Sequence, residues 1–374
     1  MGRKRTPGLR LRRGIWQIDK VIFGQRVIES TRSGDIDEAE KYLAHRTERI
    51  RQASVYGVRP RRLFKEAAAK HLKENMHKRS IADDASRLKG LMPFIGEMPL
   101  HQIHDGTLSA YVDDCIAKGL KKKTINNGLE VVRRILNRAA RRWRDDSGLT
   151  WLETPPLLTM LEVDDARQPY PLSWEEQKFL LNALPDHLSR MTLFKVNTGT
   201  REQEVCQLRW DWEIQVPALD TSVFLVPAQV VKNKEDRLVV LNPIARSLVE
   251  TQRGLHPSRV FTYRGQPVGN MYNSAWKRAR VAAAKAHAQE HGEAISWGFT
   301  HLRVHDLKHT FGRRLRAAGV SLETRKVLLG HRNGDITSHY SAPEIDELLE
   351  AVSRVCNANP GKIPSLTILK RKTG

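Results

Sequence analysis

Apolar and polar residues alternate almost from the start of the chain. Ile15, Trp16, Ile18, Val21 and Ile22, then Val27 and Ile28, interleave with polar residues and predict strands over 14–22 and 26–31, joined through Phe23-Gly24-Gln25. Ser33-Gly34 closes them. Ala39, Leu43 and Ile50 then recur at near-helical spacing, so a helix is expected over about 37–51. Beyond a Gly-, Pro- and Arg-rich linker at 57–62, helical periods follow over 63–75, 81–94, 105–118 and 124–144. In the last, Ile125, Leu129, Val132, Leu136, Ala139 and Trp143 recur at spacings of four and three, behind Thr124 as the expected N-cap. Residues 145–170 lose the period and carry Pro155-Pro156 and Asp164-Asp165, the mark of an interdomain crossing.

From Leu172 the pattern is helical again, interrupted by a β hairpin. Its first strand runs through 223–226 and 230–232 to end on Lys232, a turn takes 233–236, and the second strand covers 237–241. Leu307, Phe311 and Leu315 mark a helix stopped by Gly319, and a short helix runs from near Ser321 to Leu329-Gly330. A helix over 344–355 and a basic tail over 361–374 complete the chain. The fold class expected is mainly α with small β elements (α+β).

Charge sharpens this picture. A chain of 374 residues predicts two or three domains, and a net charge of +21 with pI near 10.1 points to a polyanionic partner, nucleic acid before membrane. No apolar run approaches the roughly 18 residues of a membrane span, and the start lacks a signal core. A soluble cytoplasmic chain is expected. Cys115, Cys206 and Cys356 are too few and too scattered for a disulfide framework or a zinc site, so no metal is expected. Six basic residues in 1–13, among them Arg10, Arg12 and Arg13, suggest a mobile arm that orders on phosphate. Lys121, Lys122 and Lys123 precede a helix that carries Arg133, Arg134, Arg138 and Arg141, a surface suited to DNA, although the same residues could merely solvate a helix.

The chemistry-bearing residues gather in the second half. Thr198-Gly199-Thr200 turns the chain toward Arg201, with Glu204 placed to orient the guanidinium at i,i+3. His305 and Lys308 share a helix face, His309 follows, His331 comes after Leu329-Gly330, and Tyr340 lies nine residues on. A guanidinium fork can hold two phosphate oxygens, imidazoles and amines move protons, and a phenol is an oxygen nucleophile. Taken singly, each has an ordinary alternative: a surface arginine, a helix-capping histidine, a packed tyrosine.

In order and spacing these residues resemble the tyrosine recombinases, specifically the phage-type integrases, and the box around Arg201 continues through Glu204, Leu208, Arg209 and Trp210. The resemblance implies an arm-type DNA-binding domain over 1–57, a helical core-binding domain over 58–150, a catalytic domain over 165–350, and a tail over 351–374 that docks on a neighbouring protomer. It implies catalysis by Arg201, Lys232, His305, Lys308 and His331, with Tyr340 as nucleophile forming a 3′-phosphotyrosyl link, and supporting roles for Glu204 and His309. Lys232 is the hairpin general acid and Lys234 its alternative. The family has arginine where this chain has Lys308, a point charge in place of a planar fork. No cofactor is implied. The implied partners are double-stranded DNA attachment sites, further copies in a tetramer on DNA, and accessory DNA-bending and directionality proteins, in the nucleoid of a bacterial host that carries a phage or other mobile element. A type IB topoisomerase shares this chemistry without strand exchange, and a regulator that has lost cleavage is the alternative to which Lys308 points.

Overall fold

The N-terminal alternation folds with one strand more than its pattern predicts. In the computed structural model, which describes residues 6–331 and 344–357, β1 (Leu9–Arg12), β2 (Ile15–Ile22) and β3 (Gln25–Ser30) form an antiparallel sheet in that order. A mobile arm was expected where β1 lies. Leu9 pairs opposite Ile18 and both are buried, so even a basic segment gains enough cross-strand packing to add an edge. Arg10 and Arg12 alternate with that buried position and stay exposed, as does Arg13 in the turn. α1 (Ile36–Tyr56) covers the sheet through Ala39, Leu43 and Ile50, which complete a small core with Ile22 and Val27. It runs past the expected end to Gly57, whose φ of 65° suits the left-handed cap.

α2 (Phe64–Glu74), α3 (Ile81–Ile95), α4 (Asp105–Ala117) and α5 (Lys122–Arg141) pack around a second core that includes Phe64, Leu91, Ile95, Leu129 and Ile135. α5 starts before Thr124, with Lys121 as its N-cap, and the reason lies downstream. The Asp165 carboxylate accepts from the Lys122 N–H at 3.0 Å, and Asn126 exchanges bonds of 2.8 and 2.9 Å with the Leu161 backbone. An anion at that end satisfies an orphan donor and opposes the helix dipole, so it extends the helix to meet it. The expected crossing is therefore largely part of this core: Leu152 and Leu158 are buried in it, and the first compact unit spans Met1–Arg167, the second Gln168–Gly374.

The second unit contains α6 (Trp174–Ala183), α7 (Asp186–Thr198) and α8 (Glu202–Cys206), then an antiparallel sheet of β4 (Glu213–Val216), β5 (Thr221–Val226) and β6 (Arg237–Val240). α9 (Pro243–Glu250), α10 (Ser274–His291), α11 (Trp297–Thr300), α12 (Asp306–Ala317), α13 (Leu322–Leu328) and α14 (Ile345–Asn357) follow. Two expectations change here. Strand β5 stops at Val226, because Pro227 cannot donate to the ladder and its carbonyl instead accepts from Val230 N at 2.9 Å, starting a turn. Lys232 therefore lies in a loop and does not end a strand. The helix expected over 344–355 is α14, and because its Leu348, Ala351, Val352 and Val355 are buried with Phe311 and Leu315 of α12, the boundary expected at 351 between catalytic domain and tail falls inside a packed helix. The next turn back on α12, Leu307, belongs to the larger core of this unit, so α12 ties the two clusters together. No helix among the described residues is long and apolar enough to cross a membrane.

Candidate active site

α7 ends where the chain must turn inside packed protein. Gly199 sits at φ 61°, donates to Lys195 O at 2.9 Å, and lies where an added Cβ would collide with the Phe311 ring. Glycine alone meets both demands. Arg201 is then the N-cap of α8: its N–H donates to Glu204 Oε2 at 2.7 Å, and its Nη1 donates to Glu204 Oε1 at 2.8 Å. Glu204 is 1% exposed and also receives Nη1 of Arg237, itself 3% exposed. Burial by itself would raise the Glu204 pKa, but the charges and hydrogen bonds of Arg237 and Arg201 outweigh it and hold the carboxyl below its ordinary value. The same burial pulls Arg237 down to about 10, with Glu204 opposing.

Three cations converge on three consecutive carbonyls at the end of α13, groups that have no partner within the helix. Arg237 Nη2 donates to Leu328 O at 3.2 Å, Lys308 Nζ to Leu329 O, and Arg201 Nη2 to Gly330 O at 3.1 Å. Asn233 Nδ2 adds a second bond to Gly330 O at 3.0 Å. Gly330 has φ 57°, and a Cβ there would stand 2.8 Å from Arg237 Nε. The next residue is His331, exposed, with its N–H on Lys326 O at 2.9 Å. Cations at a helix C-terminus are favourable, and here they also fix where the chain toward His331 leaves the helix.

His305 is the N-cap of α12 in helical geometry (φ −70°, ψ −25°), so its i,i+3 relation to Lys308 holds. Its exposed ring stands edge-on to His309, with centroids 5.0 Å apart. Packed protein beneath the ring, then His309, Lys195 and Lys308, lower its pKa to about 4. Lys308 is 4% exposed, and burial followed by the charges of Arg237 and Arg201 brings it to about 7. His331 is lowered too, by burial and then Lys308 and Arg201. Neighbouring cations thus add to burial in depressing Lys308, Arg237, His305 and His331, the signature of a place suited to an anion.

Arg201, Glu204 and Lys308 thus meet at the chain that leads into His331, with His305 on the same face of α12 as Lys308. Lys232 is exposed in its loop without a side-chain hydrogen bond or ion pair among the described residues, and Lys234, at φ 59°, is exposed as well. Their neighbour Asn233 is the loop residue that touches the cluster. Tyr340 lies outside the described residues. The pattern overlooked Arg237, Asn233 and Lys195, of which only Lys195 left a signal: a lysine between Phe194 and Val196, both fully buried. Among the described residues no group of three or more His, Cys, Asp or Glu could hold a metal ion.

In the first unit, most DNA-contact candidates have polar partners. Arg10 pairs with Asp19 at 3.2 Å, Lys122 with Asp164 at 2.7 Å, Arg133 with Glu130 at 2.6 Å and Arg134 with Asp84 at 3.0 Å. Lys121 donates to Asp165 O at 3.0 Å and Arg138 to Asn75 Oδ1 at 3.2 Å. Lys123 and Arg141 are exposed, with no side-chain ion pair among the described residues.

Comparison with known proteins gives this site a context. The phage integrase family is matched over residues 172–346, which includes Arg201, Lys308, His331 and Tyr340. The integrase of Salmonella phage P22 is 22% identical over 362 residues, 86% of this chain and 87% of that one. A lambda integrase dimer bound to a COC′ core site has the same fold, with a TM-score of 0.53 at 14% identity, covering 91% of this chain and 96% of that one. A lambda integrase tetramer bound to a Holliday junction gives 0.52 at 14% identity, over 92% of this chain and 100% of that one. Residues 172–346 thus match the phage integrase family, and the relative aligned over most of both chains and the shared fold agree with the residues gathered at the end of α13.

Proposed function

We propose that this site-specific recombinase, the integrase of a phage or related mobile element, cuts and rejoins DNA at the cluster around Arg201. The observation that carries the reading is the convergence of Arg201, Arg237 and Lys308, buried or half-buried, on three consecutive carbonyls, with the Glu204 carboxylate shared by the two arginines. Positive charge exceeds negative there, which suits a phosphodiester. Arg201 has five N–H donors, and Glu204, Asn233 and Gly330 occupy three, leaving two for phosphate oxygens. Lys308 neutralises the same charge as it grows in the transition state. His305, neutral in the free protein at pH 7, accepts the proton of Tyr340 as its oxygen attacks phosphorus, and His331 donates to a non-bridging oxygen. The P–O5′ bond breaks, Lys232 protonates the leaving oxygen, and a 3′-phosphotyrosyl link with a free 5′ hydroxyl results. Attack by a partner strand's hydroxyl reverses these steps. Lys234 is the alternative acid.

The remaining domains follow the same reading. Residues 1–57 bind arm-type sites through the sheet face that carries Arg10, Arg12 and Arg26, and residues 58–150 hold core DNA through α5. A tetramer on two duplex sites, accessory DNA-bending and directionality proteins, and the cytoplasm of a bacterial host complete the proposal. The lambda integrase tetramer on a Holliday junction supports the assembly by analogy of fold.

A suicide substrate nicked next to the cleavage site tests the core of this reading, since only an active enzyme becomes trapped on it. The wild type should give a covalent adduct, and Tyr340→Phe should give none while still binding DNA. An adduct from Tyr340→Phe, or a phosphotyrosyl peptide mapping elsewhere, would remove Tyr340 from its role; an inert wild type would favour a regulator.

A further inference from the structure

Lys195 is a fully buried cation near the site that no step above uses. It sits in the last turn of α7 between the fully buried Phe194 and Val196, with 0% of its own surface exposed. An ammonium there costs desolvation that a methionine of similar length would avoid. Its Nζ donates to the Thr200 carbonyl, and its own carbonyl accepts from Gly199. The Thr200 carbonyl belongs to the peptide whose N–H, that of Arg201, donates to Glu204 at 2.7 Å. One peptide plane is thus held at its oxygen by Lys195 and at its nitrogen by Glu204. The plane sets the direction in which the Arg201 side chain leaves the backbone. Burial disfavours the charged amine and, with Arg237, outweighs the opposing pull of Glu204 and Glu202, bringing its pKa down to about 8.

We infer that Lys195 is a positioning residue for strand cleavage: it clamps the Thr200–Arg201 peptide so that the Arg201 guanidinium is aimed at the scissile phosphate before DNA arrives. The inference rests on the proposed role of Arg201 and extends it to a side chain that cannot reach the substrate. Such pre-organisation matters because a misplacement of about 1 Å in a reacting or binding group costs roughly 100-fold in rate. Lys195→Met removes the clamp and keeps the volume. It should fold, with unchanged or higher thermal stability, bind DNA as the wild type does, and slow single-turnover formation of the covalent complex by about 10- to 100-fold.

A substrate with a methylphosphonate at the scissile position separates positioning from general damage. Replacing one non-bridging oxygen by methyl removes the negative charge that Arg201 serves, so a defect acting through Arg201 shrinks on that substrate, whereas a distorted domain slows both alike. Arg201→Ala run beside it sets the scale. The expected result is relief of both variants on the methylphosphonate. If Arg201→Ala cleaves the ordinary substrate normally, the catalytic reading fails and this inference with it. If Arg201→Ala behaves as expected but Lys195→Met shows no loss, or an equal loss on both substrates, the inference alone is overturned. Lys195→Gln, which restores a donor without charge, serves if the methionine variant does not fold; should neither fold, Lys195 is a folding residue and the inference falls.

Discussion

The two units build positive charge into the protein in opposite ways. On α5 of the first, Arg133, Arg134 and Lys122 keep a third or more of their side-chain surface exposed, and each leans on a nearby carboxylate. In the second, Arg237, Lys308 and Lys195 are nearly or fully buried around Glu204. Exposed pairs contribute little to stability and exchange readily for phosphates, so they suit a surface that must bind and release a long polyanion. Buried cations with fixed donors cannot wander, so they suit a group that must already be in place when charge develops.

Breaking the shared carboxylate gives the largest expected effect. Glu204→Gln keeps the shape but leaves Arg201 and Arg237 without their common charge, and removal of one partner from a buried ion network costs about 3–5 kcal/mol. Chemical denaturation of the second unit should show that loss. A change within experimental error would mean that the network is as replaceable as a surface pair, and the contrast between the units would collapse.

Lys308 sharpens the contrast from the side of rate and pH. Lys308→Ala should slow single-turnover cleavage by about 10²–10³-fold, the usual effect of losing one transition-state donor, and an unchanged rate would take this residue out of the chemistry. The pKa of Lys308 falls from an ordinary 10.5 to about 7, so between those values the unfolded chain binds more protons than the folded one. Stability therefore rises with pH across that window. Lys195 acts the same way between about 8 and 10.5, and His305 between about 4 and 6.5. The depressed carboxyl of Glu204 adds stability above its ordinary 4.5 that is lost as pH falls, so all four groups push in one direction. The melting temperature of the free protein should climb from acid toward pH 9, and Lys308→Met should lose part of the climb above pH 7. A Lys308→Met curve that only shifts, parallel to the wild type, would refute the burial of a charged amine.

Periodicity and spacing made much of this legible, and the exceptions have physical causes. Helices with a continuous apolar face, such as α3 and α5, announce themselves, and the register of His305 with Lys308 follows from helix geometry alone. Local pattern was silent where a distant partner decides. β1 depends on Ile18 and the start of α5 on Asp165, whereas the loop position of Lys232 follows from a local signal, Pro227, that the strand pattern overrode. Arg237 reads as an ordinary strand residue until Glu204 is brought to it from α8, and Asn233 reads as turn filler until Gly330 arrives. Of the three, Lys195 alone left a trace that the pattern passed over, a charge between Phe194 and Val196.

The smallest effects separate free from paired cations on α5. Each phosphate neutralised on duplex DNA contributes about one to the slope of log affinity against log salt. Lys123→Ala or Arg141→Ala removes an exposed charge that has no ion-pair partner among the described residues, so each should lower the slope by about one, uniformly across DNA sequences. Arg133→Ala removes a charge already half spent on Glu130 at 2.6 Å, and should lower it by less. Asp164→Asn frees Lys122 from a 2.7 Å pair and should steepen the slope slightly. Equal slopes for all four variants would show that this face does not meet phosphate, while a loss at Arg133 matching that at Arg141 would show that its pair opens completely on binding, making the first unit still more yielding than the contrast with the buried site supposes.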